Sequence, residues 1–414
     1  MIVKNAKTSD GRVVDLWLQD GRIFAMGIGL PTHGQEVLNA KGRTVLPAFI
    51  DLHCHWRTPG FEYKEDIATG SAAAAAGGYT FVNLMANTKP VCSDSIQAHA
   101  VMEQARHIGL CDVNQTVSIT QDFDGENLDH LKSLPQDLRF ISDDGKGVAN
   151  NAVMAKAFAI CHERGLTLMS HAEEMEISPW DYRLAENLET VRNLHLAEYY
   201  DARLHLCHVS TKEAVEAVEA AKWRGAPVTC EVTPHHLWFH DVDKMVDPDT
   251  GKPIPQPGSE NNGLKVNPPI RAREDVEALV RGIVSGAVDA IATDHAPHTQ
   301  EDKAAGAAGM LGLETAFGVC YTALCVQRGL PLELLSQLMS TNPAAILGLP
   351  TKGRLAVGMD ADLVLVDLET PYTVDRDQLH SKSRNCPYHG QQLYGKVCTT
   401  IKGGKITWQA SEEN

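Results

Sequence analysis

The sequence predicts an α/β protein: a (β/α)8 barrel of the TIM type, with a small β-sandwich domain built from both chain termini. Three observations predict it. Eight strand-like apolar runs alternate with helix-like runs through the middle of the chain. Both ends instead carry short alternating segments separated by turn dipeptides. The histidines and aspartates gather where the central strands end.

Residues 1–48 read as short strands. Asp10-Gly11 and Asp20-Gly21 are turn dipeptides around runs such as Val13-Val14-Asp15-Leu16-Trp17-Leu18. Residues 350–414 have the same character: Asp362-Leu363-Val364-Leu365-Val366-Asp367, then 397–408 with a Gly403-Gly404 turn. Neither end has enough strand to bury a sheet alone, so both are expected to share one small domain, with the barrel at 49–349. The barrel strands are expected at 45–50, 79–85, 112–119, 138–142, 166–170, 203–207, 228–232 and 288–293. Helices separate them. Thr211 to Arg224 is one, opened by a Ser210-x-x-Glu213 capping box and stopped by Gly225. A doubly wound open sheet is the alternative. It would carry a glycine-rich phosphate turn after its first strand, where this chain has histidines. Two connections, Trp238 to Lys265 and Thr299 to Gly312, are rich in turn-forming or small residues. The second directly follows a cluster of histidines and is the lid candidate.

Formal net charge is −16, which excludes nucleic acid and anionic membrane as partners. An anionic substrate would need a local cationic spot. Ten cysteines are scattered without a Cys-x-x-Cys pair, as expected of a reducing, cytoplasmic setting. No run has the length of a membrane-spanning helix, and the N-terminus lacks a signal-peptide apolar core.

The first strand runs into Asp51-Leu52-His53-Cys54-His55. Alternation puts Asp51, His53 and His55 on one face, where two imidazoles can grip one cation. Later strand ends offer Asn87, Asp143-Asp144, His171, His208 and Asp294. Alone, His171 or His208 would read as a core histidine, and Asp143-Asp144-Gly145 as a turn. Jointly, at one mouth of a barrel, they could hold two divalent ions. Such a pair lowers the pKa of a bound water and polarises a carbonyl. Cys54 and Cys207 alternate to the other face and read as packing residues. His235 and His236 read as supporting or structural.

These segments resemble the amidohydrolase superfamily and, within it, the bacterial type I dihydroorotases. The resemblance rests on 51–60 (DLHCHWRTPG), on 292–298 (ATDHAPH) followed by Lys303, and on supporting blocks at 61–66, 142–145, 207–212, 231–237, 267–271 and 312–317. It implies two Zn2+ per subunit, bridged by Asp144 and a hydroxide. His53, His55 and Asp294 would bind one, His171 and His208 the other. Asp294 would also be the catalytic proton shuttle. Arg57, Asn87, Asn267, His298, Ala308 and Gly309 would hold the substrate, dihydroorotate or N-carbamoyl-aspartate. The family also implies a homodimer and aspartate carbamoyltransferase as a candidate partner. Cys54, Trp56, Thr58, Ala86 and Ala308 depart from the residues usual in the family, and none of these departures removes a ligand. Two other functions fit parts of the pattern: a hydantoinase- or allantoinase-like cyclic-amide hydrolase, and a silent structural homologue. Asp144, with Arg57 and Asn87, argues against the first, and the complete ligand set argues against the second.

Overall fold

A computed structural model describes residues 1–241 and 263–411. Most of the Trp238–Lys265 connection therefore lies outside the described residues. The chain is α/β. Its first five strands are β1 (Ile2–Lys7), β2 (Val13–Gln19), β3 (Arg22–Gly27), β4 (Val37–Asn39) and β5 (Thr44–Pro47). Eight parallel strands follow: β6 (Phe49–Cys54), β7 (Tyr79–Leu84), β8 (Asp112–Gln115), β9 (Phe140–Ile141), β10 (Thr167–Ser170), β11 (Arg203–Leu206), β12 (Val228–Val232) and β13 (Ala290–Ile291). The chain ends with β14 (Leu363–Asp367), the small pair β15 (Tyr372–Thr373) and β16 (Gln392–Leu393), then β17 (Lys396–Lys402) and β18 (Lys405–Gln409).

Both chain ends meet in one eight-stranded sheet, in the order β18-β17-β14-β5-β1-β2-β3 with β4 on β1. Strand β14 shows why neither end is stable alone. Its Leu363 and Leu365 pack with Val3, Leu16 and Ile23 of the N-terminal strands. Its Val364 and Val366 face the other way, into the cluster that holds Phe49, Tyr79 and Phe317. Residues from the two ends thus complete a single apolar layer, as period-two alternation requires.

The expected first barrel strand, 45–50, is in fact two strands. Thr44–Pro47 pairs with β14 in the terminal sheet, while Phe49–Cys54 pairs with β7. Apolarity runs straight through the junction, so composition could not mark it. Several other strands are shorter than expected, β9 and β13 having two residues each. Strands β6-β7-β8 form one parallel sheet and β9 to β13 another. Parallel bridges join the two at both seams, Cys54 with His295 and Val117 with Ile141. Alternation sorts the side chains. Leu168, Leu204, Leu206, Cys230 and Val232 join the layer against the helices. Met169 and Cys207, one residue on, pack instead with Ile50, Leu52, Met85 and Phe140. Cys207 thus packs with apolar side chains, but it does not face away from the ligand candidates as expected, because its Sγ lies within 4.8 Å of ligand atoms of His53 and Glu231.

Two helix details correct the local expectations. The helix after β11 spans Lys212–Trp223, and Thr211 caps it by accepting from Ala214 N. Ser210 does not form the expected capping box, because its N–H and hydroxyl both go to Glu186. The helix Ile67–Ala76 presents Gly70 to the indole of Trp56, and a Cβ there would lie 2.6 Å from the ring. Trp56 is buried in the outer apolar layer. Among the described residues, no helix is long and apolar enough to cross a membrane.

Candidate metal centre and active site

The strand ends bring the expected residues together. His53 and His55 end β6, Asp144 follows β9, His171 follows β10, His208 follows β11 and Asp294 follows β13. All six are buried. Asp144 stands between the histidines. Its Oδ1 lies 3.3 Å from His53 Nε2, 3.5 Å from His171 Nδ1 and 3.6 Å from His208 Nε2. Its Oδ2 lies 3.5 Å from His55 Nε2. Asp294 Oδ1 is 3.1 Å from His55 Nε2 and 3.6 Å from His53 Nε2. Three groups have ligand atoms mutually within 4.8 Å: His53, His55 and Asp294; His53, Asp144 and His208; and His53, Cys207 and Glu231. Arg57, His208 and Asp294 all adopt positive φ, at 59°, 35° and 46°. Non-glycine residues rarely sit there, and such strain concentrates at functional sites.

Hydrogen bonding fixes the direction of three of the four imidazoles. His53 Nδ1 lies 3.0 Å from Glu231, which also meets His205 Nε2 at 3.0 Å. His171 Nε2 lies 2.8 Å from Glu173. His55 Nδ1 lies 2.9 Å from Asn87 Oδ1. In each case the outer nitrogen is occupied and the inner lone pair faces the centre, the arrangement in which metal-binding histidines are held. His53 Nε2 and Asp144 Oδ1 are buried and take no hydrogen bond among the described residues. Burial alone would push the His171 imidazole down, but Asp144 and Glu173 hold it up at about 10. For Glu231, burial works upward, yet the bonds from His205 and His53 hold it at about 2. So much carboxylate around so many imidazoles is a demand for positive charge, which divalent cations with nitrogen and oxygen preferences satisfy. The donor set therefore fits divalent metal.

Not every expected neighbour joins. A register shift with β7 falls between Asp51 and Cys54, breaking the simple alternation. The Asp51 carboxylate instead accepts from Thr293 N at 2.8 Å and Thr293 Oγ1 at 2.5 Å. Asp143 turns away from Asp144 and takes Ile119 N at 2.7 Å and Thr120 Oγ1 at 2.5 Å. His236 is tethered to Thr233 and Pro268 O. His235 is buried with Nε2 unpartnered among the described residues.

Beside the centre lies a cationic corner. Arg57 Nη2 is 3.2 Å from His298 Nε2, and Lys64 Nζ is 3.3 Å from His298 Nδ1. Burial first, then Arg57 and Lys64, push the His298 imidazole down to about 3, so it is neutral. A neutral imidazole accepts at only one nitrogen. One of the two cations therefore lacks an acceptor on His298, and an incoming carboxylate can supply it. Asn87 and Asn267 sit nearer the metal-type residues than this corner. Asn87 Nδ2 donates to Asp144 Oδ2 at 3.2 Å, and Asn267 Nδ2 donates to Glu173 at 2.7 Å. Gly309 lies against His298, and a Cβ there would be 3.1 Å from His298 Cδ2.

Sequence reading missed Glu231, Glu173, Lys64 and Asn385. Glu231 and Glu173 had a signal: an acid inside an apolar strand, and an acid two residues past a strand-end histidine. Asn385 had none. It reaches the mouth from the far end of the chain, accepting from His298 N and donating to Ala296 O. The segment is anchored there because Ser381 and Lys382 bond Glu65.

Comparisons with known proteins agree with this geometry. Residues 44–407 match the Amidohydrolase family. A dihydroorotase of Clostridium botulinum (strain Eklund 17B / Type B) is 45% identical over 414 residues, covering 99% of each chain. One of Acetivibrio thermocellus is 35% identical, covering 98% of this chain and 96% of its own. Among solved structures, an L-hydantoinase (dihydropyrimidinase) from Arthrobacter aurescens superposes with a TM-score of 0.86 at 25% identity, covering 99% of this chain and 96% of its own. A dihydropyrimidinase from Brevibacillus agri NCHU1002 gives 0.82 at 22% identity, covering 98% and 94%, which speaks for the fold alone. Shared sequence of that length and a family match over nearly the whole chain make the assignment: the chain belongs to the amidohydrolase family, on its dihydroorotase branch.

Proposed function

We propose that this protein is a dihydroorotase, a cyclic-amide hydrolase that reversibly closes N-carbamoyl-L-aspartate to (S)-dihydroorotate in de novo pyrimidine synthesis. The observation that carries this reading is the 45% identity with a dihydroorotase along nearly the whole chain. His53, His55 and Asp294 would hold one zinc ion, His171 and His208 the other, with Asp144 shared. Bound there, the two ions would make hydroxide available from water at neutral pH and polarise the amide carbonyl. The chain's own residues do the rest. Glu231 and Glu173 hold His53 and His171 in one tautomer each. Arg57 offers its planar guanidinium to the substrate carboxylate. Asn267, His298 and the Ala308–Gly309 backbone line the same space, and Asn87 borders it while orienting His55. Asp294 accepts a proton from the attacking water and passes it to the leaving ring nitrogen.

We further propose that the two parallel sheets close into one (β/α)8 barrel over 49–349, with 1–48 and 350–414 as the small β-sandwich domain. Hydrogen bonds across both seams support closure: His55 N to His295 O, and Ser142 N to Val117 O, each at 2.9 Å. Ten free cysteines support a cytoplasmic location. The exposed apolar side chains Leu184, Leu188, Val191 and Tyr199 on the helix Tyr182–Tyr200 support a homodimer. Aspartate carbamoyltransferase is the candidate partner.

The hydantoinase-like fold favours a second reading, hydrolysis of an uncharged cyclic amide. The cationic corner argues against it, because hydantoin and dihydrouracil bring no carboxylate to Arg57. Measuring kcat/KM for dihydroorotate, hydantoin and dihydrouracil decides between them. Dihydroorotate should be strongly preferred, and the reverse order would sink the proposal. In the same assay Arg57→Met should keep its metal and lose kcat/KM by about ten- to a hundredfold, the worth of one charge-assisted contact at about 1.5–3 kcal/mol. Unchanged kinetics would place the carboxylate elsewhere.

A further inference from the structure

The loop after β13 closes around one ammonium. Lys303, on the short helix Gln300–Ala304, sends Nζ to three backbone carbonyls: Gly309 O at 2.8 Å, Ala307 O at 2.9 Å and Lys265 O at 3.0 Å. A lysine ammonium has three donors. All three are engaged, so none is left for a ligand. The carbonyls belong to two separate stretches. Ala307 and Gly309 lie on the returning arm of the loop, and Lys265 lies two residues before Asn267. Gly309 N ties the stretches together again, donating to Lys265 O at 2.9 Å. Asn385 Nδ2 reaches Gly309 O at 3.2 Å from a third direction.

Gly309 is where this cage meets the cationic corner. Its φ of +133° suits only glycine, and a Cβ would stand 2.6 Å from Ala296 Cβ and 3.1 Å from His298 Cδ2. The backbone of Ala308–Gly309 is thus pressed against the histidine that Arg57 and Lys64 flank. We propose that Lys303 is a positioning residue whose ammonium pins the Ala308–Gly309 backbone in place over the substrate's carboxylate corner, without touching substrate itself. This rests on the reading that dihydroorotate occupies that corner.

Charge matters to the pin. On its own helix, Asp302 is taken by Thr299 and lies 3.4 Å from Lys64, and Glu301 is exposed. Lys265 faces Lys303 from the neighbouring stretch, and His298 and Arg57 lie beyond Gly309. Among the described residues no carboxylate is in ion-pair contact with Lys303. Burial, and then Lys265, push its ammonium down to about 8. The pin is therefore fully charged below that pH and is lost as pH rises through it.

Three measurements test the proposal. Lys303→Met should retain its metal and a kcat near wild type, while KM for dihydroorotate rises roughly ten- to a hundredfold, the cost of a displaced binding backbone. In the wild type, KM should climb as pH passes about 8. Lys303→Arg keeps its charge throughout this range, so its KM should stay level with pH whatever its absolute value. A wild-type KM in Lys303→Met, or the wild-type climb persisting in Lys303→Arg, would overturn the proposal. Hydrogen exchange over 299–312 in substrate-free enzyme should be faster in Lys303→Met than in wild type, and equal exchange would also overturn it. Faster exchange in a protein that turns over no dihydroorotate would instead defeat the substrate reading and leave the pin standing.

Discussion

Asp294→Asn should keep its metal and lose turnover by about 10²–10⁴-fold in both directions, the usual contribution of a positioned acid–base group. The residue is 7% exposed, and its carboxylate meets His55 Nε2 at 3.1 Å. Burial by itself would raise its pKa, but the bond to His55 and the neighbouring imidazole charges outweigh burial and hold it well below the usual carboxylate range. It is therefore ionised at neutral pH and able to accept a proton. Asparagine preserves the shape and one oxygen for a metal but cannot carry the proton. The two readouts must be taken together: metal content by elemental analysis, and kcat in the hydrolytic and synthetic directions. A fully metallated variant running near the wild-type rate would remove Asp294 from proton transfer.

Asp144→Ala should lose most of its metal, and with it the activity. Three imidazole nitrogens lie within 3.6 Å of Asp144 Oδ1, and a fourth lies 3.5 Å from Oδ2. No other carboxylate touches both histidine pairs among the described residues. With Asp144 gone, the carboxylates that remain, Asp294, Glu231 and Glu173, each meet only one of the two histidine pairs, and none would offset the charge shared between the pairs. Several kcal/mol of charge stabilisation go with it. At about 1.4 kcal/mol per decade, that is roughly 10³-fold or more in rate. Purified wild-type protein should carry close to two transition-metal ions per chain. A variant that still holds both ions and still turns over would refute the shared carboxylate.

By itself the sequence determined what is local in the chain. A histidine pair at the end of an apolar run, His171 two residues before Glu173, and Asp294 within 292–298 can each be read in a window of a few residues. Strand geometry places such residues at strand ends, and a parallel α/β arrangement carries strand ends to one mouth. That is why all six expected metal-type residues came together. The strands at 79–85 and 228–232 were legible for the same reason, being bounded by turns and helix signals. The boundary at Ala48 was not: Val45 and Phe49 are equally apolar, and only pairing with β14 or with β7 assigns them to different sheets.

Tertiary structure decided which polar groups are committed elsewhere. Asp51 and Asp143 look as capable of binding metal as Asp144, yet Thr293 and the Ile119–Thr120 backbone take them. Glu231 lies 178 residues from His53, and Asn385 lies 87 from His298. Lys303 reads as a surface lysine on a polar helix until the carbonyls of Ala307, Gly309 and Lys265 close around it. The physical reason is one of range. Propensity and alternation act between neighbours along the chain, whereas a buried polar group must find its partner wherever the fold places one.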